Sequence, residues 1–411
     1  EPLHRVSLAA DVEGQGVDPQ SMTLNGRLAV RDTDVSNYRI SAAYLEGSMV
    51  EGRYELEKAI VTSPYASAGA HAELQPDGSF DVVARATSTD VTAKVSRDLL
   101  GRELTARADI AIDADGELDL DASAPLDVMR RLDARATWNI EKFHMEDVRV
   151  DDSVGRVRLT VAPRAAEVRD VTWDIEASAD GVAAVGNKLR RARVDTTGST
   201  RFEGSAIEAR YVLGALDTTV DADVEAASWD GGSIEEGHVL VKVAPSRGRL
   251  RYTLDASVDA LEAGVQIDAL ATQLAGEVKL GASLDWPGAL EALSVRGDVA
   301  ATGVDLGGGQ DAGQILVKAD VAGPIHDLGG TVDVDATDLA AGGFEFTTIA
   351  AQLQFTGERH FLINANGVQR EAKPEVIGLI VRGRYSRDLT DYTILDLQLQ
   401  TVGDAWQMSG V

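Results

Sequence analysis

Leu250-Arg-Tyr-Thr-Leu-Asp-Ala-Ser-Val-Asp259 alternates without a break: Leu250, Tyr252, Leu254, Ala256 and Val258 against Arg251, Thr253, Asp255, Ser257 and Asp259. A period of two places each set on its own face of an extended strand. The stretch from Leu132 repeats the pattern, with Leu132, Ala134, Ala136, Trp138 and Ile140 against Asp133, Arg135, Thr137, Asn139 and Glu141. Working outward, the same rhythm returns in Val6/Leu8/Ala10/Val12, Leu118/Leu120/Ala122, Val239/Val241/Val243, Val278/Leu280/Ala282/Leu284, Ile315/Val317/Ala319/Val321 and Leu395/Leu397/Leu399. These are strands wet on one face and apolar on the other. The expectation is an all-β chain of roughly 25 strands of about 7–10 residues.

The punctuation is that of hairpins. Asp77-Gly78, Asp115-Gly116, Asp180-Gly181 and Asp230-Gly231 supply the positive φ angles of tight turns, so neighbouring strands should pair in a meander. Helix signals are few. One segment near 91–100 has Asp90 as N-cap and Gly101 as stop; a second, near 125–131, starts at Pro125 and covers Leu126 to Leu132. An internal repeat of about 35 residues joins 288–322 to 323–357: Leu293 through Asp298, Gly303 and Gly308 recur as Leu328 through Asp333, Asp338 and Gly343. No Pro/Ser-rich linker or charge block divides the chain, which reads as one elongated unit over 1–411. It opens at Glu1 without Met or a signal pattern and is read as a fragment of something longer.

Composition narrows the function classes. The net charge of −28, from 67 acidic and 39 basic residues, leaves no basic footprint for nucleic acid. An acidic polar face would instead keep a very apolar sheet soluble. There is no cysteine, which removes disulfides and thiolate metal sites. Asp113-Ala-Asp115-Gly116 resembles part of a calcium loop, but Ala111 and Ala122 occupy the positions of two key ligands, and a hairpin turn explains it. Gly307-Gly308-Gly309-Gln310-Asp311 occurs once and reads as a flexible loop. The six histidines, His4, His71, His144, His238, His326 and His360, have no His or Cys partner at metal-ligand spacing. No phosphate loop, GxSxG elbow or SxxK is present, so the chain is read as non-catalytic, without metal or cofactor.

Such a sheet needs a use for its apolar face. Soluble monomers rarely expose apolar patches beyond a few hundred Å². Bulky side chains would be needed to fill the ~10 Å between stacked sheets, and this chain is rich in Ala with only 5% aromatics. The sequence therefore predicts a long curled sheet, folded like a taco, with an apolar concave side and an acidic convex side. At ~4.8 Å per strand it would run to the order of 120 Å. Leu132, Trp138, Ile140, Tyr252, Leu254, Val258, Val278, Leu280, Ile315, Val317 and Val321 are the candidate lining residues.

One region resembles a known family. Its motifs are Val295-Arg-Gly-Asp-Val299, Gly303-Val-Asp-Leu-Gly-Gly308, Gly323-Pro-Ile-His-Asp-Leu-Gly-Gly330 and Thr331-Val-Asp-Val-Asp-Ala336. Gly342-Gly343-Phe344, Ala351-Gln-Leu-Gln-Phe-Thr-Gly357 and Phe361-Leu-Ile-Asn-Ala-Asn-Gly367 continue the cadence. Together they resemble the repeats of the TamB and AsmA-like proteins. The resemblance implies a periplasmic protein anchored in the inner membrane of a Gram-negative cell by a segment outside this sequence. It also implies a β-groove that carries phospholipid toward the outer membrane, and a TamA-like β-barrel partner of the insertase family. Two other uses of such a sheet are a scaffold that adds outer-membrane strands to an open edge and a surface stalk with a dry core.

Overall fold

Hairpin pairing accounts for nearly every residue in the computed structural model. It describes residues 5–16, 22–35, 38–91, 104–120, 128–165, 168–203, 209–281, 290–341, 343–370, 375–386, 391–401 and 405–409. The chain divides into two compact units, Glu1–Glu208 and Ala209–Val411.

In the first unit the strands are β1 (Arg5–Gln15), β2 (Thr23–Val35), β3 (Tyr38–Val50), β4 (Arg53–Thr62), β5 (Ala66–Leu74) and β6 (Ser79–Val91). They continue as β7 (Leu104–Leu118), β8 (Met129–Met145), β9 (Val148–Val150), β10 (Asp152–Ala165), β11 (Val168–Ala184) and β12 (Asn187–Glu203). All pairings are antiparallel and between chain neighbours, except around the three-residue β9. That strand pairs both β8 and β11, and β8 pairs β10 directly.

The second unit opens with a six-residue helix, α1 (Ala209–Gly214). Then come β13 (Asp217–Trp229), β14 (Gly232–Ser246), β15 (Arg249–Glu262), β16 (Gln266–Leu280), β17 (Leu290–Gly307) and β18 (Gln310–Pro324). The last six are β19 (Gly329–Ala341), β20 (Phe344–Gly357), β21 (His360–Gln369), β22 (Val376–Tyr385), β23 (Tyr392–Gln400) and β24 (Ala405–Ser409). The all-β meander expected from the alternation is what forms.

Several local expectations are corrected. Many strands run to 13–18 residues rather than 7–10. Asp115-Gly116 is not a turn: it lies inside β7, where Asp115 faces Asp81 and Asp133 and Gly116 faces Phe80 and Leu132. Asp180-Gly181 is likewise inside β11, with Gly181 at φ 62°. Asp77-Gly78 and Asp230-Gly231 do turn the chain. Of the helix expected near 125–131, residues 125–127 lie outside the described residues, Val128 is helical, and the segment gives way to β8 from Met129 onward. The other expected helix, near 91–100, lies outside the described residues beyond Val91.

A row of residues with left-handed backbone marks the second unit. Ala226, Ala260, Gly303 and Asp338 have φ of 49°, 50°, 59° and 52°. They sit on β13, β15, β17 and β19, four or five residues before the next turn. The register lines them up: Thr302 and Val304 face Gln314 and Ala312, and Gln314 faces Thr337. The ladder keeps one register on both sides of each position, so each is a local left-handed kink that interrupts the pairing without inserting a residue. Gly303 and Asp338 are 35 residues apart, as are the turn glycines Gly308 and Gly343. The repeat in the sequence is therefore the period of one hairpin with a left-handed kink.

Candidate functional site

Strand register joins the apolar positions of the first unit into continuous rows. One row runs Ala10–Leu28–Leu45–Ala59–Ala70–Ala84–Ile112–Ala136–Val157–Ile175. A neighbouring row runs Leu24–Met49–Tyr54–Leu74–Phe80–Gly116–Leu132–Val161–Val171. Among the described residues of the unit, no second layer covers these rows. Among its described apolar side chains only Met49 and Val171 are fully buried, while Val12 is 67%, Leu45 46% and Ile112 44% exposed. The whole chain exposes 24622 Å²; two compact bodies of half its 43.5 kDa mass would together expose roughly 18,000 Å².

Across β1–β7 this face forms a trough of 710 Å³. Its floor includes Val12, Leu28, Leu45, Met49, Leu74 and Phe80, and its polar lining residues are Arg27, Ser48, Glu55 and Glu73. Seven strands at ~4.8 Å span roughly 29 Å. One leaflet's acyl chains are about 15 Å long, half of a ~30 Å hydrocarbon core.

Aromatic side chains reach over glycines on the neighbouring strand. Phe80 faces Gly116, Trp138 faces Gly155, Tyr252 faces Gly276 and Phe361 faces Gly383. A Cβ on Gly155 would come within 2.0 Å of the Trp138 ring, and one on Gly383 within 2.3 Å of Phe361. The missing side chain leaves room for the large ring. Trp138 Nε1–H, the polar handle of its ring, donates to Ser153 Oγ at 3.1 Å.

The eleven sequence-derived lining residues fall into two groups, one per unit. Leu132, Trp138 and Ile140 are half-buried on β8. Tyr252, Leu254 and Val258 on β15, Val278 and Leu280 on β16, and Ile315 and Val317 on β18 are half-buried in the second unit. Val321 differs: it is 6% exposed and belongs to a closed core with Ile325, Leu328, Phe361, Val381 and Tyr385. There the β18–β19 turn folds over the apolar face, and Leu328 N–H donates to Tyr385 Oη at 3.2 Å. Burial raises the Tyr385 hydroxyl above the usual tyrosine range, and raises Tyr252 in the same direction. The Tyr252 hydroxyl reaches Ser294 O at 3.2 Å.

The opposite face is a lattice of arginines and carboxylates. Arg158 Nη2 lies 2.7 Å from Asp133, Arg131 2.7 Å from Asp115, Arg191 2.8 Å from Asp180 and Arg296 2.8 Å from Asp320. Hydrogen bonds from Arg158 hold the Asp133 carboxyl below the usual range. These pairs are exposed and contribute little stability each; they keep the face charged and wet.

One trio on this face has metal-ligand chemistry. His238 Nδ1 lies 2.8 Å from Asp223 Oδ1 and 3.6 Å from Asp221 Oδ1, and ligand atoms of the three residues fall within 4.8 Å of one another. The hydrogen bond to Asp223 raises the imidazole pKa, so an ion pair accounts for the trio. Histidine spacing in the sequence could not find it, because the β13–β14 pairing brings His238 opposite Asp223.

No family model matches the chain, and no curated protein or solved structure matches it. No described helix is long and apolar enough to cross a membrane.

Proposed function

We propose that the chain is a lipid-holding module, whose apolar sheet face receives phospholipid acyl chains while the headgroups stay in water. The observation that carries this reading is the uncovered face of the first unit, floored by Leu28 and Leu45 at 38% and 46% exposure. A 16-carbon chain drawn into water costs roughly 13 kcal/mol at ~0.8 kcal/mol per CH₂. An apolar trough removes most of that cost and needs no catalytic group. In the setting implied by the TamB-like cadence, the cargo moves between the two membranes of a Gram-negative envelope. An outer-membrane β-barrel protein of the insertase family at the far membrane is part of the same proposal.

Leu45→Arg tests it. The substitution places a charge in the trough floor, at a position where the side chain reaches water, so the protein should still fold with unchanged circular dichroism. Loading with a fluorescent phospholipid from donor vesicles should fall by at least tenfold. Normal loading by a folded Leu45→Arg protein would sink the reading.

A further inference from the structure

The second unit has a polar hollow of 860 Å³ at the strand ends, lined by the β18–β19 turn, the β20–β21 turn and the end of β22. Its walls are tied to one another. Tyr385 N donates to Arg359 O at 2.9 Å, Gly357 N to Leu328 O at 3.2 Å, and Glu358 N to Asp327 Oδ1 at 2.8 Å.

Two cations here are not in contact with a carboxylate. Arg359 and Arg384 make no ion pair among the described residues, although arginines along the polar face are regularly paired. Arg384 Nε donates to His360 Nε2 at 2.6 Å. His360 accepts at that atom, and the rest of the guanidinium donors remain unspent. His326 adds a second imidazole to the lining.

The turn that carries Arg359 is also built at a cost. Glu358 and Arg359 have φ of 48° and 63°. The turns at Glu51-Gly52, Val185-Gly186 and Arg247-Gly248 place glycine second. Among the described residues the β20–β21 turn alone puts two side chains in consecutive left-handed positions, a conformation that glycine would adopt without strain. Both side chains line the hollow.

The chemistry selects the ligand. Paired guanidinium groups match phosphate oxygens, with several charge-assisted hydrogen bonds available. Asp327 and Glu358 line the same hollow. Two guanidinium groups stand beside two carboxylates, so a dianionic monoester meets more repulsion than a singly charged diester. A diester that also bears an ammonium group would satisfy both signs. Tyr385, 3% exposed, joins this hollow to the closed apolar core, with its ring 5.7 Å from that of Phe355.

We propose that this hollow is a phosphodiester-binding site in which Arg359 and Arg384 grip the phosphate. The phosphodiester belongs to a phospholipid headgroup if the lipid-holding reading stands, a premise on which that assignment of source rests. A soluble glycerophosphodiester offers the same chemistry.

The test uses the full chain with three probes: soluble glycerophosphoethanolamine by calorimetry, and phosphatidylethanolamine and diacylglycerol by loading from vesicles. Arg359→Gln and Arg384→Gln should each weaken phosphodiester binding by about tenfold, the value of a charge-assisted hydrogen bond. Diacylglycerol loading should not change. Arg382→Gln, which removes an outward arginine paired with Asp396 at 3.0 Å, should change neither. Binding of the soluble probe alone would make a free phosphodiester the ligand. Loading of neither lipid by the wild type defeats the lipid-holding reading, while the soluble probe still decides this one. Phosphodiester binding that is absent, or untouched in folded Arg359→Gln and Arg384→Gln proteins, would overturn the site.

Discussion

Truncating one leucine in each unit should give very different losses. Leu328 is 2% exposed and packed in the closed core, so Leu328→Ala removes three buried carbons and leaves a cavity. At ~0.8 kcal/mol per carbon the transfer part is about 2.4 kcal/mol, and the cavity raises the total to roughly 3–4 kcal/mol. Leu28 lies on the open face and is 38% exposed. Leu28→Ala forfeits only the buried share, about 1.5 kcal/mol, with no cavity term because the space opens to water. The difference of about 2 kcal/mol is roughly a 30-fold gap in the local opening equilibrium. Hydrogen exchange read by mass spectrometry on peptides covering 353–363 and 24–45 measures both in lipid-free protein. Equal losses would refute the reasoning, because they would require the first unit's face to be as well covered as the second's. Saturating lipid should raise the Leu28→Ala cost toward that of Leu328→Ala, since binding then stabilises the wild type more.

Two further outcomes follow from the geometry. Gly155→Ala drives a Cβ into the Trp138 ring and should cost about 1–3 kcal/mol with a changed near-ultraviolet spectrum, whereas Gly26→Ala, with nothing within 4 Å, should be silent in both. His238 should titrate above the ordinary histidine value because it donates to Asp223. Its small stabilising contribution is present below the unfolded pKa of about 6.5 and lost as pH rises through the raised folded value. Asp223→Asn should bring the His238 midpoint down in an NMR titration; an unmoved midpoint would contradict the pairing.

The strand pattern was legible because it is local. Leu250–Asp259 lies within β15, and its burial alternates residue by residue as its sequence does. Glycine was harder to read because it has three uses here. It makes a turn at Gly231, a left-handed kink inside β11 at Gly181, and the floor under Phe80 at Gly116. Only the partner strand distinguishes these uses, and partner identity is set by register. The same limit hid the trough and the phosphodiester hollow. His326, His360 and Arg384 are far apart in the chain, and hairpin stacking alone brings them to one hollow. The closed core escaped for another reason: Ile325 and Leu328 sit in a turn, where alternation carries no information about what folds over the face.

The most direct measurement of the central claim is photocrosslinking from the two faces of the first unit. A crosslinker replacing Leu45 on the apolar face and one replacing Arg135 on the charged face are irradiated in gently purified, lipid-exposed protein. Adducts are then identified by mass spectrometry. The account predicts phospholipid adducts at position 45 and none at position 135; adducts at neither position, or equally at both, would contradict it.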